Sequence, residues 1–157
     1  MNTVLLVCTG NTCRSPMAEA LLRGKLQARG VDGVSVSSAG TGAWEGAPAS
    51  EGAYLVALEH GLDLSFHRAR LLTREMVATA DLVLTMARHH LARAEQLGAA
   101  GTAYLLGEFA GRQGALAEVR DPFGGELEGY REAFEELDAM LEAVVARLER
   151  EHLGDRR

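Results

Sequence analysis

The chain has 157 residues, 47% of them apolar and 24% charged, with a formal net charge of −6, which fits one globular domain with a hydrophobic core. The acidic balance speaks against general nucleic-acid binding, which shows a basic excess, and no stretch approaches the ~20 apolar residues needed to span a bilayer. Cys8 and Cys13 are the two cysteines, too few for a secreted disulfide framework, and Met1 to Val7 lacks the features of a signal peptide, so a cytoplasmic location is expected.

Val4-Leu5-Leu6-Val7 is a continuous apolar run, the pattern of a strand buried on both faces of a parallel sheet. The loop Cys8-Thr9-Gly10-Asn11-Thr12-Cys13-Arg14-Ser15 follows at once, and Pro16 suits the first turn of a helix. Met17 to Arg29 carries Met17, Ala20, Leu21, Gly24 and Ala28 at helical spacing, and Gly30 can stop it. Val34 to Ser38 alternates apolar and polar residues and predicts a second strand. Residues 39–48 form a Gly-rich loop holding the only Trp, Trp44. Ser50 can cap a helix from Glu51 to His60, ended by Gly61.

Thr73-Arg74-Glu75-Met76 predicts a short helix, Asp81 to Met86 a third strand, and Arg88 to Leu97 a helix ended by Gly98. Thr102 to Leu106 predicts a fourth strand, and 107–120 an irregular or weakly helical segment. Asp121-Pro122-Phe123-Gly124-Gly125 must be a loop, since Pro and paired Gly break helix and strand alike. Leu127 to Leu153 predicts a long amphipathic helix with Tyr130, Phe134, Leu137, Leu141, Val144, Val145 and Leu148 on one stripe. Strands alternating with helices predict an α/β fold. The expectation is a single domain over 1–157, with a four-stranded parallel sheet flanked by helices, of flavodoxin-like type.

The cysteine loop carries the chemistry. A Gly-containing loop between a buried strand and a helix turns backbone N–H groups toward one point, and the helix N-terminus adds partial positive charge there. Arg14, six positions after Cys8, can curl back so that its planar fork donates two parallel hydrogen bonds to a phosphoryl group. A cysteine in such a field favours the thiolate, the nucleophilic form. Ser15 can donate to that sulfur. Phosphoryl transfer by this set needs no metal, but the departing group needs a proton. Asp121 is the candidate acid, although Asp before Pro is also a common turn former.

With those residues in place, the chain resembles the low-molecular-weight protein tyrosine phosphatase family. The resemblance is carried by Cys-x5-Arg-Ser near the N-terminus, Pro-Met-Ala-Glu at 16–19, Ser38-Ala39-Gly40-Thr41, Gly61 to Arg70 with His67-Arg68-Ala69-Arg70, and Asp121-Pro122. It covers essentially the whole chain. It implies that Cys8 is the nucleophile, Arg14 the phosphate clamp and Asp121 the acid and then base. Thr9, Gly10, Asn11, Thr12, Cys13 and Ser15 would bind the phosphoryl group and shape the loop. Ser38 and His67 would support the thiolate, His67 being equally readable as a loop histidine bonded to backbone. Cys13 matches a second loop cysteine that can form a reversible protective disulfide with Cys8.

Two positions depart from the tyrosine-specific pattern. Thr12 stands where a bulky aliphatic is usual, and Phe123 where Tyr is usual. Both look like the bacterial protein arginine phosphatase branch, as does Met86-Ala87 in place of Met-Asp. A hydroxyl at Thr12 can orient a polar guanidinium, and Asp121 can pair with its charge, whereas an apolar wall suits a phenol ring. Trp44, in Gly42-Ala43-Trp44, resembles the aromatic loop of the tyrosine-specific members. It could wall a ring, stack on a guanidinium or cap the core.

The expectation is a cysteine-dependent protein phosphatase acting on phosphorylated protein residues through a phosphocysteine, with phosphoarginine favoured over phosphotyrosine. Phosphate and other oxyanions should bind as product or inhibitors. No cofactor, nucleic acid or membrane partner is expected, and no metal, since His89 and His90 are adjacent on a helix and make poor joint ligands. The alternatives are a phosphotyrosine-specific phosphatase, an arsenate reductase, which would need further cysteines, and a catalytically idle phosphopeptide-binding module.

Overall fold

The computed structural model describes residues 3–155. Four strands, β1 (Thr3–Cys8), β2 (Ser35–Gly40), β3 (Leu82–Thr85) and β4 (Ala103–Leu105), form one parallel sheet in the order β2-β1-β3-β4. The helices are α1 (Arg14–Ala28), α2 (Glu51–Glu59), α3 (Arg74–Thr79), α4 (Arg88–Ala94), α5 (Leu106–Phe109) and α6 (Leu127–Asp155). This is the expected α/β fold, with the apolar run at its centre.

Successive side chains of β1 point to opposite faces of the sheet, so both faces must be covered. Val4 and Leu6 pack with Met17 and Leu22 of α1 and Phe134, Leu137 and Leu141 of α6. Leu5 and Val7 pack on the other side with Val83 of β3, Val77 of α3, and Leu72 and Leu97. Each such aliphatic side chain removed from water contributes about 1.5–3 kcal/mol before entropy is counted. The predicted α6 stripe from Tyr130 to Leu148 is buried throughout. Ser50 Oγ accepts from Ala53 N at 3.4 Å, and Thr73 Oγ1 from Met76 N at 3.2 Å, so α2 and α3 start at their predicted caps.

Most boundaries shift by a residue or two, and four of the differences have a local reason. Helix α1 begins at Arg14, ahead of the apolar spacing counted from Met17, and Pro16 lies in the first turn as expected, where its missing N–H would have no intrahelical acceptor. Strand β2 runs on to Gly40 instead of stopping at Ser38, because Ala39 and Gly40 pair with Val7 and Cys8. A Cβ on Gly40 would overlap the Thr9 carbonyl oxygen and come within 2.9 Å of Asn11 N, so the close approach requires glycine. Helix α4 stops at Ala94 and widens into a π-turn, Glu95–Ala99, where Gly98 takes φ 111°. Strand β4 is shorter than Thr102–Leu106 because Leu106 opens α5, held tight by Gly107, whose added Cβ would overlap the Ala117 backbone. A 3₁₀ turn, Gly114–Ala117, completes the segment expected to be irregular. Among the described residues no helix is long and apolar enough to cross a membrane.

Candidate active site

β1 ends at Cys8, and residues 9–13 carry the chain from the carboxyl edge of the sheet into α1. That edge is where ligand sites of open parallel sheets lie. Three loop carbonyls are tied to neighbouring segments. Thr41 N donates to Cys8 O at 2.9 Å, Gly42 N to Thr9 O at 3.0 Å, and Ser50 N to Thr12 O at 2.9 Å. Asn11 takes the left-handed conformation, φ 57°, which Asn tolerates better than most residues. The bend brings Asn11 N to 3.3 Å from Cys8 Sγ.

The fully buried Asn11 side chain then distributes the hydrogen bonds around the sulfur. Its Oδ1 accepts from Arg70 N at 2.9 Å, which fixes the amide orientation. Its Nδ2 donates to Ser15 Oγ at 2.8 Å and to Ser38 Oγ at 2.9 Å. Ser38 Oγ in turn donates to Glu19 Oε1 at 2.7 Å. Ser15 Oγ lies 2.9 Å from Cys8 Sγ. His67 Nε2 donates to Asn11 O at 2.6 Å, so the histidine is bonded to backbone and holds the loop at the same time.

Arg14 is buried, at 4% exposure. Its NH1 donates to Val119 O at 3.0 Å, and its NH2 stands 3.6 Å from Asp121 Oδ2. Its Nε is buried without an acceptor among the described residues. An unsatisfied buried donor costs on the order of 1–3 kcal/mol, more when charged, so this one marks a place for an anionic acceptor. Asp121 Oδ1 accepts from Phe123 N at 3.0 Å. The residue is therefore a turn former that also faces Arg14.

Cys8, Thr9, Gly10, Thr12, Cys13 and Arg14 line a cavity of about 180 Å³ together with Asp121 and Phe123. A larger hollow of about 330 Å³ near Arg112, Arg120 and Glu136 holds no cysteine, so the candidate site is the smaller one, chosen by its chemistry. Cys13 Sγ is buried, 3.2 Å from Ser50 Oγ and 3.8 Å from Tyr130 Oη. Burial pushes the Tyr130 phenol up. Both thiols are free. Phe123 is 71% exposed at the cavity wall, and Trp44 is 85% exposed. Trp44 belongs neither to the cavity lining nor to the core, because its loop runs out over the surface.

Sequence reasoning gave no site role to Glu19, Arg70 or His90. Glu19 and Arg70 sat inside the quoted motifs, and Glu19 lies four residues after Ser15, on the same helix face. His90 gave no local signal. It is fully buried, its Nε2 is 2.7 Å from Thr9 Oγ1, and its Nδ1 accepts from Ala87 N at 3.0 Å. Burial, then His89 and Arg14, lowers its pKa from 6.5 to about 3.

Residues 3–153 match the family model described as low molecular weight phosphotyrosine protein phosphatase. A probable low molecular weight protein-tyrosine-phosphatase, EpsP of Ralstonia nicotianae, is 40% identical over 150 residues, covering 94% of this chain and 97% of that protein. The solved YwlE arginine phosphatase from Geobacillus stearothermophilus is 38% identical with a TM-score of 0.89, over 98% of this chain and 97% of that one. Another solved YwlE arginine phosphatase, a cysteine-to-serine mutant with a phosphorylated active site serine, is 36% identical with a TM-score of 0.87, over 94% and 95%.

Proposed function

Since the chain belongs to the low molecular weight phosphotyrosine protein phosphatase family and is a protein phosphatase, we propose that Cys8, Arg14 and Asp121 carry its reaction and that it prefers phosphoarginine to phosphotyrosine. The observation that carries the site assignment is the pairing of a nucleophile with a buried cationic clamp. Cys8 Sγ and Arg14 share one cavity, and Arg14 keeps a buried Nε–H without an acceptor among the described residues.

The phosphoryl group would lie against the loop, with Arg14 donating to its equatorial oxygens. Cys8 thiolate attacks phosphorus, an S–P bond forms, and the bond to the leaving nitrogen or oxygen breaks. Protonated Asp121 gives its proton to the leaving group. A water then attacks the phosphocysteine and passes a proton to Asp121. The S–P bond breaks, inorganic phosphate leaves and the thiolate returns, stabilised by donation from Ser15 O–H and Asn11 N–H.

The substrate preference draws support from the cavity wall. Thr12 contributes a hydroxyl, with Oγ1 3.8 Å from Cys13 Sγ, and the half-exposed Asp121 carboxylate lines the same space. A charged guanidinium suits that lining better than an apolar slot. The second reading, phosphotyrosine, is favoured by Phe123, whose exposed ring lines the cavity as a surface for a phenol. Phosphorylated protein is the substrate class that the family implies, and phosphate its product. Two free thiols fit a reducing compartment, so we place the enzyme in the cytoplasm.

Side-by-side hydrolysis of phosphoarginine and phosphotyrosine peptides, with Cys8→Ser as the blank, tests both parts. Efficient release from phosphotyrosine with hardly any from phosphoarginine would overturn the preference. Undiminished release by Cys8→Ser would overturn the assignment of the nucleophile.

A further inference from the structure

The parallel pairing of β1 with β3 sets the loop after β1 beside the start of α4. There His90, at the third position of α4, meets Thr9, 81 residues away in sequence. The hydrogen-bond directions at this contact are fixed by elimination. Ala87 N–H can only donate, so Nδ1 of His90 accepts, and a neutral imidazole then carries its proton on Nε2. Nε2–H donates to Thr9 Oγ1. The threonine oxygen has thus accepted, and its own proton must go elsewhere. No protein acceptor takes it among the described residues. The methyl of Thr9 faces the 41–43 loop, where a Cβ on Gly42 would touch it at 3.9 Å, while the residue lines the Cys8 cavity.

We propose that His90 is a positioning residue that turns the Thr9 hydroxyl into an added phosphate donor, its O–H aimed at the phosphoryl group above Cys8. The inference rests on the phosphatase reading of that cavity and extends it to two residues outside the nucleophile–clamp–acid set. It differs from a purely structural role for His90 because the side chain's effect must pass through one hydroxyl. A donor oriented before the substrate arrives costs no reorganisation when charge builds on the phosphoryl oxygens.

The test measures inorganic phosphate binding by calorimetry, and hydrolysis of a generic aryl phosphate, for wild type, Thr9→Val, Thr9→Ser, His90→Gln, His90→Phe and the Thr9→Val/His90→Phe pair. Thr9→Val should weaken phosphate about tenfold, as expected for loss of a hydrogen bond to an anion, and Thr9→Ser should restore it. His90→Phe should weaken phosphate in the wild-type background and add nothing in Thr9→Val. His90→Gln, whose amide can still donate to Thr9, should stay close to wild type. Nitrogen NMR of the imidazole should show the Nε2–H form. Unchanged phosphate affinity in Thr9→Val, or equal losses from His90→Phe in both backgrounds, overturns the proposal. An Nδ1–H tautomer does so too, and needs no variant to fold. Failure of the wild type to hydrolyse the aryl phosphate or bind phosphate would sink the phosphatase reading with it; normal wild-type hydrolysis with an unaffected Thr9→Val sinks this inference alone.

Discussion

Asn11 Nδ2 lies 2.8 Å from Ser15 Oγ, and that contact sets the direction of the bond between Ser15 and Cys8. The serine oxygen already accepts from the amide, so its hydroxyl proton is left for the sulfur 2.9 Å away. Asn11 can play this part because Arg70 N occupies its Oδ1 and Ser38 takes its other amide proton. The sulfur thus faces two donors, the Ser15 hydroxyl and Asn11 N–H.

Ser15→Ala removes that donor without touching the cavity lining. A hydrogen bond to a charged group contributes about 1.5–3 kcal/mol, so kcat should fall roughly 10- to 100-fold. Phosphate inhibition should hardly change. Steady-state kinetics with phosphate as inhibitor checks both numbers, and a large loss of phosphate affinity would contradict this role.

Asp121→Asn keeps the Phe123 turn but cannot deliver a proton to a leaving group. Loss of general-acid help lowers rates by about 10²–10⁴. The loss should be greatest for substrates with strongly basic leaving groups and shrink for acidic phenols. A series of aryl phosphates graded by phenol acidity tests it, and a uniform loss across the series would point away from proton transfer.

Thr12→Ile replaces a hydroxyl in the cavity wall by apolar surface. The ratio of phosphotyrosine to phosphoarginine hydrolysis should rise about tenfold or more, the scale of one changed pocket contact. Competition between the two peptides in one reaction measures this directly. An unchanged ratio would remove Thr12 as the determinant.

His90 makes stability pH-dependent with a definite sign. Its pKa falls from 6.5 to about 3 on folding, because burial disfavours the charged ring and His89 and Arg14 add positive charge nearby. Between those values the unfolded chain binds a proton that the folded chain refuses. The contribution is therefore neutral above the unfolded value and increasingly destabilising as pH drops toward the folded one. Taking about 1.4 kcal/mol per pKa unit, a drop from pH 7 to pH 4.5 should cost wild type about 2–3 kcal/mol more than His90→Gln. Denaturant unfolding of both proteins at the two pH values measures the difference. Equal losses would show that His90 does not set this slope.

The strand–loop–helix unit and the identity of its chemistry were legible in the order of residues alone. An apolar run must be buried, a proline suits a helix start, and Cys8, Arg14 and Ser15 fall within eight consecutive residues. Such features depend on neighbours a few positions apart, which sequence spacing states directly. The long amphipathic helix and the caps at Ser50 and Thr73 belong to the same class. The tertiary structure alone decided what the loop leans on. Strand register put Gly40 against Thr9, the sheet order set His90 beside Thr9, and the 121–125 loop came close enough for Asp121 to face Arg14. Those contacts join residues up to about a hundred positions apart. No local pattern marks them, because packing across the sheet, and not the preference of any short segment, brings them within hydrogen-bond reach.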